Sequence, residues 1–228
     1  MIIKTITNQK QWDDFIKSHP ESNFLQSWDF YEFHASRGKT IARRAVLEND
    51  EIIAAYAGVV ETAKRGTYLA IAGGPILDWS DKSLVKIVFE DIKKIASESN
   101  CVFARIRPQL ELSNKSLSMM KQLGLKKAPM YLSVEYAGIL DLSNSEEQIL
   151  AAASQGFRRK LRKAEKAEIT VETTSDPKIV KTFYNLEVTH AKRQGFVAFS
   201  EEFLTKQFAA FSKNNEVLMY RSEEHTSE

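Results

Sequence analysis

The chain has 228 residues, long enough for one large domain or two ordinary ones with a sizeable core. With 43% hydrophobic and 27% charged residues it has the balance of a soluble globular protein, no apolar run approaches the roughly 18 to 20 residues of a membrane span, and no secretory signal is visible behind Met1. The formal net charge is only +2, and the single Cys101 excludes an internal disulfide and a cysteine-rich metal site, which points to the cytoplasm.

In chain order, a strand is predicted at residues 2–6. A helix follows that Thr7 or Asn8 caps, that turns Trp12, Phe15 and Ile16 inward, and that Pro20 stops. The aromatic stretch from Phe24 leads into a second helix with Ser27 as its cap and Gly38 as its terminator. Strands at 42–47 and 52–60 flank a turn centred on Asn49 and Asp50, and a further strand at 68–72 ends at Gly73, Gly74 and Pro75. Residues 81–99 read as an amphipathic helix with Leu84, Ile87, Val88, Ile92 and Ile95 inward. A strand at 101–107 (in which Cys101 packs rather than reacts), a helix at 113–123 closed by Gly124, and a strand near 132–142 complete the run. This order resembles the Gcn5-related acyltransferase fold, an α/β (α+β) architecture.

The same order begins again further on. Placed on a helix at about 100° per residue, Ile149, Ala153, Phe157, Leu161 and Ala164 form one apolar stripe. Arg158, Arg162 and Lys166 line the opposite side, with Arg159 and Lys163 beside them, and six of the nine residues from 158 to 166 are basic. Such density reads either as a solvated basic face or as a seat for a polyanion. A strand at 169–173, helices at 177–192 and 200–212, and a strand at 216–220 follow. The expected organisation is therefore a first acyltransferase-like domain at 1–142 and the start of a second at 143–220, incomplete, whose last strand lacks a partner and is an aggregation-prone edge. Residues 221–228 read as the translation of a sequencing-library adapter, which removes His225 from consideration as chemistry.

The basic run 158–166, followed by Phe183, Tyr184, Leu186, Thr189, Arg193, Gly195 and Phe196, resembles the Fem-type peptidoglycan bridge aminoacyltransferases. Their second domain carries an Arg-x-x-Ile-Arg-x-Ala-x-Lys helix and then a Phe-Tyr-x-Leu…Thr-x-x-Arg-x-Gly-Phe helix; Leu161 and a longer Thr-to-Arg spacing are departures here. The resemblance implies transfer of an amino acid from aminoacyl-tRNA to the stem peptide of a peptidoglycan precursor, either lipid II or UDP-MurNAc-pentapeptide, in the cytoplasm or at the inner face of the membrane. It implies no cofactor, and it puts the catalytic lysine beyond residue 228. On this likeness Arg158, Arg159, Arg162, Lys163 and Lys166 are candidates for the tRNA backbone. Gln26 and Ser27, His34 at a position where the family has a basic residue, Tyr68, Asp78 after Gly74 and Pro75, and Arg193 are candidates for the precursor.

Each candidate also has a plainer reading. Gln26 could satisfy loop backbone, Tyr68 could be core, Asp78 a turn residue or helix cap, and Arg193 a complement to a helix dipole. His19, His34, His190 and His225 show no metal-ligand spacing, no Gly-x-Ser-x-Gly elbow is present, and Gly73, Gly74 and Pro75 do not make a nucleotide loop. Two alternatives stay open: a Gcn5-related N-acyltransferase using acyl-CoA, for which the turn at Gln155 and Gly156 lacks a second glycine, and a non-catalytic RNA- or polyanion-binding module.

Overall fold

Alternating apolar residues in the first hundred positions build one mixed sheet. In this computed structural model, which describes residues 1–64, 66–129, 138–167 and 169–223, β1 (Ile2–Thr5), β2 (Ile41–Glu48), β3 (Glu51–Ala63) and β4 (Gly66–Ala72) form an antiparallel meander. The two-residue β5 (Ile76–Leu77) pairs with Ala54 and Ala55 of β3, and β6 (Phe103–Arg107) joins β4 in parallel, giving the order β1-β2-β3-β4-β6. The parallel pairing requires a crossover, supplied by α3 (Lys82–Glu98) after α1 (Gln9–Lys17) and α2 (Trp28–Ser36). Asn49 and Asp50 both take positive φ, as a two-residue hairpin loop demands, and a bulge follows where the register shifts between Val46 and Leu47.

The two faces of the sheet carry separate helical layers. Leu84, Val85, Val88, Phe89 and Ile92 of α3 pack with Tyr56, Leu69 and Ile71. On the other face Trp12, Phe15, Ile16 and Tyr31 pack with Ala45, Leu47, Ala55, Ala57 and Val59. Two predicted caps form, Asn8 accepting from Gln11 N and Ser27 from Phe30 N, while α3 is capped by Asp81, which accepts from Ser83 N and Leu84 N, rather than by Asp78.

Between its pairings with β5 and β4, β3 has a stretch at Tyr56, Ala57 and Gly58 with no strand on that edge. The side chain of Gln26 fills it. Its Oε1 accepts from Ala57 N at 2.8 Å, and Nε2 donates to Ala72 O at 2.7 Å and to Ala57 O at 3.2 Å. The carboxamide thus stands in for a peptide group of the missing strand. Trp12 Nε1 donates to the backbone oxygen of the same residue at 2.8 Å.

Beyond the sheet come α4 (Asn114–Gln122), α5 (Glu146–Ala152), α6 (Gln155–Lys166), β7 (Thr170–Thr174), α7 (Ile179–Gln194), α8 (Glu201–Ser212) and β8 (Met219–Glu223). Helix α8 packs on α2 and α7, with Ala210 and Phe211 meeting Phe33. Three expectations need correction. The single helix carrying Ile149 to Ala164 is two, because Ala153 and Ser154 are extended and Ser154 caps α6 through Phe157 N. The last strand runs from Met219 to Glu223 rather than 216–220, so it takes in 221–223 of the suspected adapter, while 224–228 lie outside the described residues. That strand is not orphaned: β7 pairs with it antiparallel over Thr170 to Thr174. The strand expected near 132–142 lies largely outside the described residues, and 138–142 contain none.

Replacing Gln26 with Leu keeps the volume but strips the Ala57 N–H and the Ala72 carbonyl of their partners. We expect a loss of about 3 kcal/mol in urea unfolding, against about 1 kcal/mol for Trp12→Phe.

Candidate functional site

The turn that precedes α2 is built by three polar side chains that act differently. Asn23 accepts from Leu25 N and donates to Gly73 O at 3.2 Å, tying the turn to the end of β4. Ser27 donates to Phe24 O while capping α2. Gln26 is fully buried, and Gly74 lies so close that a Cβ there would come within 2.8 Å of its Cδ. Gln26 therefore has no surface to offer a ligand; it positions the loop of Gly73, Gly74 and Pro75, in which the Gly74–Pro75 bond is cis.

Ser27 opens into a cavity of about 380 Å³ shared by the two halves of the chain. Its walls include Asp13, Asn23, Trp28 and Asp29 on one side and Phe211 and Glu216 on the other. Asp29 is buried there and accepts from Asn214 Nδ2 at 2.7 Å.

His34 is the clearest departure. Its ring lies against Phe30 at 4.7 Å and Phe33 at 4.8 Å, with Nδ1 buried and without a hydrogen-bond partner. Burial, reinforced by Arg37 and less by Lys39 and opposed by Glu61, lowers its pKa to about 4. The position at which the resemblance implies a basic residue thus holds a ring that is neutral at pH 7 and supplies no positive charge.

Tyr68 is half-buried and stacks on Phe103, with centroids 5.0 Å apart and planes within 9°. The register places Phe103, Arg105 and Arg107 beside Tyr68, Ala70 and Ala72. Leu69, Ile71, Ala104 and Ile106 go to the α3 side, so these six alternate onto the opposite face. Phe103 is the partner that sequence reasoning missed; the alternation at 103, 105 and 107 was the available signal. Asp78 is exposed and accepts from Ser80 N and Ser80 Oγ, which hold its carboxyl below the usual range, so it closes the turn before α3.

Arg193 is exposed on the last turn of α7, 3.3 Å from His190 Nδ1. The five basic candidates of α6 separate into two kinds. Arg159, Lys163 and Lys166 point outward, and Arg162 is also exposed, its Nε reaching Arg158 O at 3.3 Å. Arg158 instead donates to Ala151 O at 2.8 Å and closes the C-terminus of α5. Among the described residues none of the five is within ion-pair distance of a carboxylate, and no hydrogen bond, ion pair or ring contact joins any two of the six precursor candidates. No group of three or more His, Cys, Asp or Glu among the described residues could hold a metal ion.

The FemAB family model matches residues 7–221. Curated relatives named lipid II:glycine glycyltransferase include one from Staphylococcus saprophyticus, 28% identical over 203 residues, and one from Staphylococcus aureus, 27% identical over 203 residues. In both comparisons 84% of this chain aligns with 48% of the relative, so the chain spans about half the length of the curated relatives it matches. The solved structure of FemX superposes with a TM-score of 0.81 at 23% identity, over 97% of this chain and 57% of that one, which shows a shared fold.

The unfolded chain protonates His34 near pH 6.5, whereas the folded chain does so only near pH 4. Its contribution to stability is complete above about 6.5 and is lost as pH falls toward 4. In urea unfolding, the wild type should therefore lose more stability between pH 7 and pH 5 than His34→Gln.

Proposed function

The chain belongs to the FemAB family, and from that premise we propose that the whole protein transfers an amino acid from aminoacyl-tRNA to the stem peptide of a peptidoglycan precursor, building an interpeptide bridge. The observation that carries this reading is the family match over residues 7–221, together with relatives named lipid II:glycine glycyltransferase. Glycine and lipid II are what those names say of the relatives; for this protein they are the donor amino acid and the acceptor to test first, with UDP-MurNAc-pentapeptide as the soluble acceptor.

The chemistry asks little of covalent or metal catalysis. The acceptor amine attacks the aminoacyl ester carbon, a tetrahedral oxyanion forms, and its collapse expels the ribose hydroxyl of the tRNA while the amine gives up its proton. The ester is already activated, so the protein mainly has to bring two anionic substrates together and to stabilise the oxyanion. Helix α6 suits the first of these, because Arg159, Arg162, Lys163 and Lys166 are exposed and a phosphate backbone would relieve their mutual repulsion. Arg158 acts differently, holding α5 against α6. On the precursor side, Ser27, Tyr68 with Phe103, and Arg193 are the reachable groups, and Asp78 shapes its turn. Gln26 and His34 act through the backbone and packing they set. The acyl-CoA alternative gains no support at Gly156, which lies in the first turn of α6 with nothing within 4 Å of where a Cβ would stand. No described helix is long and apolar enough to cross a membrane.

The test is transfer of label from glycyl-tRNA to lipid II by the complete protein. Arg159→Glu with Lys163→Glu should lower kcat/KM about 10- to 100-fold and flatten its salt dependence. Label transfer from acetyl-CoA but none from any aminoacyl-tRNA would sink the reading.

A further inference from the structure

The C-terminus of α7 leads into a short loop whose apolar side chains are held outward. Gly195 takes φ +75 and ends the helix, with Gly195 N and Phe196 N both bonded to Ala191 O. Phe196 and Phe199 are about half exposed, and Val197 between them is 96% exposed, the most exposed large apolar side chain among the described residues. This exposure is not slackness. Phe199 stacks on Phe203 at 4.4 Å with planes 12° apart, Phe203 meets the buried Phe33 edge-on at 4.9 Å, and Arg37 lies over the Phe203 ring at 4.6 Å. On the other side Phe196 contacts the His190 ring at 5.6 Å. Two anchored aromatics therefore bracket one protruding valine.

Charge frames the tip. Lys192 and Arg193 are exposed on the last turn of α7, one helical step from Phe196; on the α8 side the first turn carries exposed Glu201 and Glu202, of which Glu202 is engaged by Lys206 at 2.7 Å. A convex apolar point with adjacent cations fits the headgroup–acyl boundary of an anionic bilayer, where the apolar tip enters and the cations stay among the phosphates.

We propose that the loop 195–199 is a membrane-contact tip that seats the protein on an anionic phospholipid surface. Its purpose rests on the precursor reading: the contact would bring Arg193 to phosphate depth, where the diphosphate of a lipid-linked acceptor lies, and so selects the lipid-linked over the soluble precursor. The contact itself stands on the loop's geometry alone.

The experiment is co-sedimentation of the complete protein with vesicles of phosphatidylcholine and phosphatidylglycerol, beside vesicles of phosphatidylcholine alone. Val197→Asp changes a side chain with almost no contacts, so folding should be intact by circular dichroism, and partitioning onto the anionic vesicles should fall about tenfold. Lys192→Glu should weaken the same binding and have little effect on the neutral vesicles. With Val197→Trp, the new indole emission should shift to the blue on anionic vesicles. Unchanged partitioning of Val197→Asp overturns the proposal, as does an indole that stays water-exposed. Loss on Lys163→Glu with none on Val197→Asp also overturns it, because α6 would then be the lipid contact. Glycyl transfer by Val197→Asp separates the two readings: activity should hold with a soluble acceptor and drop with lipid II in vesicles. Absence of transfer to either acceptor by the wild type would fail the precursor reading and leave the vesicle result standing.

Discussion

One side-chain amide holds the first sheet together. Strand β3 pairs β5 at its start and β4 at its end, and the two partners are not continuous with each other. A buried edge with an unpaired N–H and carbonyls would cost several kcal/mol in this low-dielectric setting. Gln26 reaches in from the turn before α2 and pairs Ala57 on one side and Ala72 on the other. The rest of the turn is arranged to hold that amide: Trp12 donates to its backbone, Asn23 ties the turn to Gly73, and Gly74 leaves room for the carboxamide. The location of Ser27, and with it the mouth of the shared cavity, follows from this plug.

Helix α2 is consequently a wall with two loaded sides. Tyr31 turns to the sheet and donates to Ala57 O at 2.5 Å, while Phe33 turns to α8 and meets Phe203, Ala210 and Phe211. Arg37 lies over the Phe33 and Phe203 rings, and Asp29 takes a hydrogen bond from Asn214. Among the described residues the second half is docked by this aromatic packing and by the buried hydrogen bond from Asn214 to Asp29. The neutral state of His34 is a by-product of the same packing, since Phe30 and Phe33 desolvate the ring while Arg37 stands close by.

The parts of this fold legible in the sequence are those governed by local chemistry. Asn8 and Ser27 announced their helices because a side-chain oxygen beside a free N–H is a local event, and Asn49 with Asp50 announced the hairpin because positive φ suits them. What escaped depends on partners distant in the chain. The short β5 exists only because β3 has Ala54 and Ala55 to offer. The role of Gln26 depends on backbone 31 and 46 residues away. At the site, the basic helix and its register were readable, but the apolar stripe from Ile149 to Ala164 was continuous enough to hide the break at Ala153 and Ser154. Tyr68 was readable as a candidate, yet its stacking on Phe103 is set by the parallel register after a 17-residue crossover helix.

The break between α5 and α6 changes what the basic cluster means. With one continuous helix, packing along the apolar stripe would hold the cations in place. In the structure neither helix has a buried residue, and Phe157 is about half exposed. Packing therefore contributes little to α6, and its dense like charges oppose it. Arg158 offsets part of that opposition by turning its charge to the carbonyl end of α5. The repulsion that remains, among Arg159, Lys160, Arg162, Lys163 and Lys166, is relieved by counterions or by a polyanion. On the proposed reading, contact of these cations with a phosphate backbone would release counterions and so be sensitive to salt.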